Sequence, residues 1–431
     1  MPSRGDYLIK DARVLTMDPE LGDFDKASVH IRDDSIVAVG AALEAGNAEI
    51  LDGRDMLVLP GLVETHWHIW TTLLRSMSGD VAERGYFPTS RAIGRFYRAE
   101  DMYVSGRLAC AEAINSGITH VHDWCHNVRS PDYAEAAIAA LDESGIRARF
   151  SYGTPTGQAN DAAIDLGDLE RLHGDWRARS PDRRLTLGLA WRGVASDVTR
   201  RDYAATREMG LPVSVHVNTS RSSAGGIAAI AEAGLLGPHV QLIHAIWSSA
   251  EEIAAVAASG ASISLSPFTE MRIGFGLPLT AEYLAAGVPV GLSVDTPALS
   301  GNADMFAIMK AVQNVANGRA QDEFELTARR VLELATIEGA RAMGMDDRIG
   351  SLTPGKRADL IMIDTRAVNL GVFSDPAHLV VEAAQPANVD TVIVDGRVLK
   401  RAGRLTSVDV DAVVDEARAA LAAVERRADW P

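Results

Sequence analysis

The chain has 431 residues, 47% of them hydrophobic, enough for more than one small core and too apolar for wholesale disorder. Lys and Arg number 42 against 58 Asp and Glu, and the resulting formal charge of −16 disfavours nucleic acid and anionic lipid as partners. The two cysteines, Cys110 and Cys125, exclude a disulfide framework and read as buried, inert thiols. The opening residues lack the apolar core of a secretory signal, and no apolar run reaches the roughly 18 residues of a membrane span. A cytoplasmic location and a small-molecule partner are therefore expected.

In chain order, the first sixty residues read as short strands at 7–9, 13–16, 28–31 and 36–39, punctuated by Asp-Pro, Asp-Asp and Gly. Apolar strands then alternate with Ala-rich helical stretches. The strands fall at 56–63, 118–123, 147–152, 185–189, 212–216, 240–244, 262–265 and 288–293. The helices between them include 101–115, 133–143, 200–209, 225–233, 250–258 and 278–286. Residues 79–99 read as a long irregular insert. Strand texture returns at 359–363, 391–394 and 397–400, with Asp395-Gly396 as a tight turn, and 409–428 reads as a terminal helix. Continuous apolar strands fit a parallel sheet buried on both faces, and eight such units over roughly 240 residues match a (β/α)8 TIM barrel. A doubly wound sheet is the alternative, but no GxGxxG follows the first strand. The expected organisation is a composite β-sandwich from residues 1–57 and 357–405, a barrel over 58–356, and a C-terminal helix over 406–431.

Near the end of the first barrel strand stands Leu59-Pro-Gly-Leu-Val-Glu-Thr-His66-Trp-His68. Residues two apart in an extended segment project the same way, so His66 and His68 aim two imidazoles at one point. His216 ends the fifth strand, His244 the sixth, and Asp295 follows the eighth. Coordinating residues at the C-terminal ends of several strands mark the catalytic face of such a barrel.

The run PGLVETHWHIWTTLLRSM resembles the first-strand signature of the amidohydrolase superfamily, in its cytosine deaminase and triazine hydrolase branch. GSLTPGKRADLIMID and VDTVIVDGRVLKRAGRL resemble the return strand and closing hairpin of the same proteins, so the likeness runs from about residue 5 to 405. It implies that His66, His68, His216 and Asp295 hold a divalent metal, zinc before iron, manganese or cobalt, and that His244 sits beside it. It also implies a homodimer or homotetramer. Two-metal members bridge their ions with a carbamylated lysine on the fourth strand. Here that strand reads LTLGLAWRG, and no lysine lies between Lys26 and Lys310, which leaves one ion. Such an ion lowers the pKa of its bound water from 15.7 to about 7 in favourable cases. Asp295 can then act as general base while hydroxide attacks and return the proton to the leaving group, with His244 stabilising the developing oxyanion.

One departure matters. Deaminases of this branch carry Glu three residues after the fifth-strand His, to protonate a ring nitrogen; here the segment is His216-Val-Asn-Thr219. Glu270, after the seventh strand, is a candidate relocated acid. The second HxH, His120 and His122, is assigned to support or pocket roles, and Asp123 to orienting a ligand imidazole. Trp70, Thr71, Trp124, His126, Trp191, Thr219, Trp247 and Phe268 are expected to line a flat pocket. The reading is a hydrolase of non-peptide C–N bonds in a small, flat, largely neutral molecule such as a cyclic amide, urea, carbamate or N-heterocycle. An aminohydrolase or dechlorinase of a purine, pyrimidine or triazine is the alternative. A non-catalytic binding protein is a third, disfavoured because all five site residues are present.

Overall fold

The protein is described from a computed structural model, over residues 2–159 and 161–430. Eight strands form one parallel sheet in strict chain order: β6 (Leu62–Val63), β7 (Ile118–Cys125), β8 (Arg147–Tyr152), β9 (Leu185–Trp191), β10 (Val213–Val217), β11 (Val240–His244), β12 (Ser262–Leu265) and β13 (Val290–Leu292). Nearly every residue of these strands is buried, because helices cover the outside while side chains fill the inside. The seam between first and last strands is closed by the backbone beyond β6. Thr65 N donates to Leu292 O at 3.1 Å, Asp295 N to His66 O at 2.9 Å and His68 N to Asp295 O at 2.7 Å. Trp67 bridges both Asp123 and Asp295, so this one segment pairs on both sides. The result is a (β/α)8 barrel.

A second sheet is built from both chain ends. It comprises β1 (Gly5–Val14), β2 (Phe24–Asp33), β3 (Ser35–Gly40), β4 (Glu49–Asp52), β5 (Met56–Pro60), β14 (Leu360–Asp364), β15 (Val389–Val394), β16 (Arg397–Arg401) and β17 (Arg404–Leu405). β5 is its centre, antiparallel to β14 and parallel to β1, which is why neither end of the chain can complete the sheet alone. Ile9, Val29, Ile31, Val58, Leu360 and Ile393 form its core.

Three expectations need correction. Residues 56–63 are not one strand but two in different sheets, divided at Pro60-Gly61. A Cβ on Gly61 would lie 2.1 Å from the Thr119 side chain, so only glycine lets the chain cross against β7 here. The expected strands 7–9 and 13–16 are one strand with a bulge, where Asp11 turns into the left-handed region at φ 63°. The insert after the first barrel strand is also not irregular, since Tyr86–Gly94 is a helix.

The barrel and the end sheet are joined by a buried ion network. Arg147 on β8 donates from Nε to Asp359 Oδ2 at 2.6 Å and from Nη2 to Asp395 Oδ1 at 3.0 Å. Burial alone would raise the Asp395 carboxyl, but Arg147 and Arg4 outweigh it and hold it well below the usual carboxylate range. Its folded value is depressed, so its stabilisation is present in full above the ordinary carboxylate range and is lost progressively as pH falls below that range toward the folded value. Arg147→Met leaves two carboxylates without their buried partner and should cost about 3–5 kcal/mol in urea unfolding. The loss should be full at pH 7 and shrink in acid.

Candidate metal centre

The four ligand candidates converge at the C-terminal end of the barrel. Their ligand atoms all lie within 4.8 Å of one another. His66 Nε2 is 3.2 Å from His216 Nε2 and 3.3 Å from Asp295 Oδ1, and His68 Nε2 is 3.3 Å from the same oxygen. Ligands about 2.0–2.1 Å from a tetrahedral ion stand about 3.3–3.4 Å apart, so these spacings suit a zinc-sized cation. The tautomers suit it as well. His68 Nδ1 lies 3.0 Å from Trp124 O, an atom that can only accept, so Nδ1 carries the hydrogen and Nε2 keeps its lone pair for the cluster. Burial, with mutual repulsion among the imidazoles, pushes His66 and His216 well below the ordinary histidine value, which keeps them neutral.

Two of the converging residues sit in strained backbone. His244 has φ 68° and Asp295 φ 61°, left-handed positions that His and Asp tolerate better than bulky residues and that turn both side chains inward from their strand ends. His244 Nε2 is 3.9 Å from Asp295 Oδ2, while its Nδ1 meets Glu270 Oε1 at 3.1 Å. Burial would lower the His244 pKa, but the Glu270 bond and the Asp295 charge outweigh it and raise it.

Glu270 is therefore not where a relocated acid is needed. It is wholly buried behind His244, accepts from Ser266 N at 2.8 Å, and takes no part in the pocket wall. Asp123 also departs from expectation. Its side chain lies on the outer side of β7, where burial pushes it up to about 8, and Oδ1 has no hydrogen-bond partner. The carboxylate that orders the ligand strand is Glu64, to which the motif reading gave no role. Glu64 accepts from the backbone N–H of His66 at 2.8 Å, His122 at 3.0 Å and Val294 at 3.3 Å, tying three strands beneath the cluster. Burial pushes it up to about 8 against those three bonds. His120 and His122 point into the barrel core below, bonded to Glu64 O and Thr65 O, and His122 falls to about 3 through burial.

A pocket of about 610 Å³ opens on the cluster, and of the expected lining residues it includes Trp124, His126, Trp191 and Thr219. The other four lie one layer back. Trp70 donates to His126 Nδ1 at 3.4 Å, which leaves that ring's hydrogen on Nε2; Thr71 bonds Thr296 and His68 O; Trp247 donates to Phe275 O; Phe268 packs on the core. The wall adds Tyr86, Phe87 and Arg91 from the helical insert, with Gln158, Arg192 and Phe275. A helix at 86–94 escaped notice because it is short, holds Pro88 and buries Thr89, Ser90 and Gly94 rather than an apolar stripe, so its contribution was illegible too. Both cysteines are free and buried, and burial pushes Cys110 up to about 12.

A barrel with three imidazoles and a carboxylate at its mouth defines a metal-dependent hydrolase site. The amidohydrolase family pattern matches residues 57–399, and the chain belongs to that family. It is 30% identical to a 5'-deoxyadenosine deaminase of Methanosarcina acetivorans over 98% of this chain and 99% of that one. It is also 30% identical to a 5-methylthioadenosine/S-adenosylhomocysteine deaminase of Moorella thermoacetica, over 95% and 97%. In fold it matches an adenosine deaminase from Xanthomonas campestris with bound zinc, at TM-score 0.86, 23% identity and 99% and 100% coverage. Atrazine chlorohydrolase from Arthrobacter aurescens complexed with zinc gives 0.85, 23%, and 96% and 100%. The chain is a hydrolase acting on carbon–nitrogen bonds other than peptide bonds. No described helix is long and apolar enough to cross a membrane.

Because Glu270 touches His244 and not the pocket, Glu270→Gln should lower kcat about 10–100-fold and displace the pH profile while metal content stays constant. Elemental analysis together with a pH–rate series checks both halves.

Proposed function

We propose that this protein hydrolyses a C–N bond of a small planar substrate using one divalent ion, zinc first, held by His66, His68, His216 and Asp295. The single-ion reading rests on one such ligand cluster among the described residues and on the absence of lysine from β9. An ion bound there supplies Lewis acidity and acidifies a water. Asp295 turns Oδ1 to His66 and His68 and keeps Oδ2 toward His244. That second oxygen takes the proton released as water adds to the substrate carbon and passes it to the leaving nitrogen. His244, with Nδ1 bonded to Glu270, offers Nε2 as donor to the oxygen on which charge develops, and Glu270 is the residue that positions it.

The observation that carries the substrate class is the pocket's charge. Among the described residues its wall holds a single carboxylate, Asp295, with Thr219 where the family resemblance places an acid. A single carboxyl busy with the water's proton cannot also protonate a ring nitrogen. Cyclic amides, ureas and carbamates, whose carbonyl needs no such step, fit best. The wall also carries Arg91 and Arg192, neither ion-paired among the described residues, so the substrate should present an electron-rich or anionic edge rather than being wholly neutral. A second reading, deamination of a purine nucleoside, is favoured by the names of the 30%-identical relatives.

An ammonia- and amine-release screen separates the two. The metal-loaded enzyme should turn over a cyclic amide, urea or carbamate faster than 5'-deoxyadenosine or 5'-methylthioadenosine; the reverse order overturns the first reading. Elemental analysis should find one equivalent of metal, reduced in His66→Ala and His216→Ala. Asp295→Asn should lower kcat by several orders of magnitude, about 10³-fold or more, because an amide cannot carry the proton.

A further inference from the structure

The barrel has a second cavity, of about 820 Å³, at the face opposite the metal cluster. The N-terminal ends of β9 through β12 form its floor, at Leu185, Val213, Val240 and Ser262. Catalytic groups of such barrels gather at the other face, so chemistry at this one is not explained by the reaction.

The cavity wall holds Arg149, Arg177, Arg183, Arg207 and Arg348 against one carboxylate, Asp347. Among the described residues none of the five makes an ion pair, although the chain carries 58 acidic residues against 42 basic ones. Arg207 and Arg348 donate only to backbone carbonyls, of Leu211 and of Asp182 and Arg183. Arg149 is the strongest sign. It is buried on the inner side of β8, gives one bond to Met343 O, and its Nε has no partner. A buried guanidinium without a counter-charge is costly, because the low-dielectric interior penalises an uncompensated cation. Burial alone pushes Arg149 down to about 10. Gln241 beside it also leaves Oε1 unpartnered.

We propose that this cavity is a binding site for a small oxyanion of two or more negative charges, phosphoryl- or polycarboxylate-bearing, which supplies the missing counter-charge to Arg149 and its neighbours. Guanidinium forks fit such groups because two parallel N–H donors meet two oxygens. The site is separate from the pocket over the metal centre and shares no lining residue with it.

Titration calorimetry on the metal-loaded enzyme tests it, with pyrophosphate and AMP as phosphoryl probes, citrate as the carboxylate probe and adenosine as the neutral control. At least one anion should bind with Kd below about 1 mM and weaken with added salt. The pair Arg183→Gln/Arg348→Gln, the first exposed and the second half-buried, should weaken that binding about tenfold or more while leaving metal content unchanged. Arg149→Met should weaken it further, and if that variant fails to fold the Arg183/Arg348 double variant still decides. Three results overturn the proposal: no binding of any anion at about 5 mM, undiminished binding by the double variant, or equal binding of adenosine. Undiminished binding would place the anion over the metal centre.

Discussion

The segment Glu64–His68 is the constraint on which the rest of the site depends. Its backbone pairs with β7 on one side and with Leu292–Asp295 on the other, so it closes the barrel and carries two imidazoles at once. Glu64 anchors its base by accepting three backbone N–H groups from three strands. Donors at those places would otherwise be buried without partners, and one carboxylate satisfies them all. His66, His68 and Asp295 are thereby held to one geometry before any ion arrives, and preorganisation of that kind is what tight coordination needs.

Three buried carboxylates near the cluster differ in role because their surroundings differ. Glu64 faces backbone donors and serves the architecture. Glu270 faces one imidazole and one backbone N–H and holds His244 in orientation. Asp295 faces the imidazole cluster and is the one among them in the pocket wall. On the proposed mechanism the same functional group serves as a strut, as a positioning group and as a proton acceptor, according to what lies within hydrogen-bond reach.

Charge is distributed unevenly over this acidic chain. Acidic residues dominate its total, yet the pocket over the metal centre and the cavity beneath the barrel both concentrate guanidinium groups that make no ion pair among the described residues. Low-dielectric walls strengthen the field inside such concavities, so small electron-rich molecules are drawn to them even when the net charge would repel an anion at long range.

Much was legible in the amino-acid order by itself. The alternation of apolar strands and Ala-rich helices specified a barrel, and β8, β11 and β12 lie at the residues read for them. His66, His68, His216, His244 and Asp295 were readable as candidates because period-two spacing and strand-end position are local properties, and the family resemblance singled out four of them as ligands. Other features needed the tertiary structure, since they depend on what distant segments place opposite a side chain. The split of 56–63 between two sheets follows from Thr119 crowding Gly61, a contact no local pattern records. Glu64 and Glu270 exchanged importance with Asp123 and the pocket for the same reason: a carboxyl's role follows from whether backbone N–H groups, an imidazole or nothing faces it. The unpaired state of Arg149 is likewise a fact about the folded interior, where an arginine's partners are decided by packing and not by its neighbours in sequence.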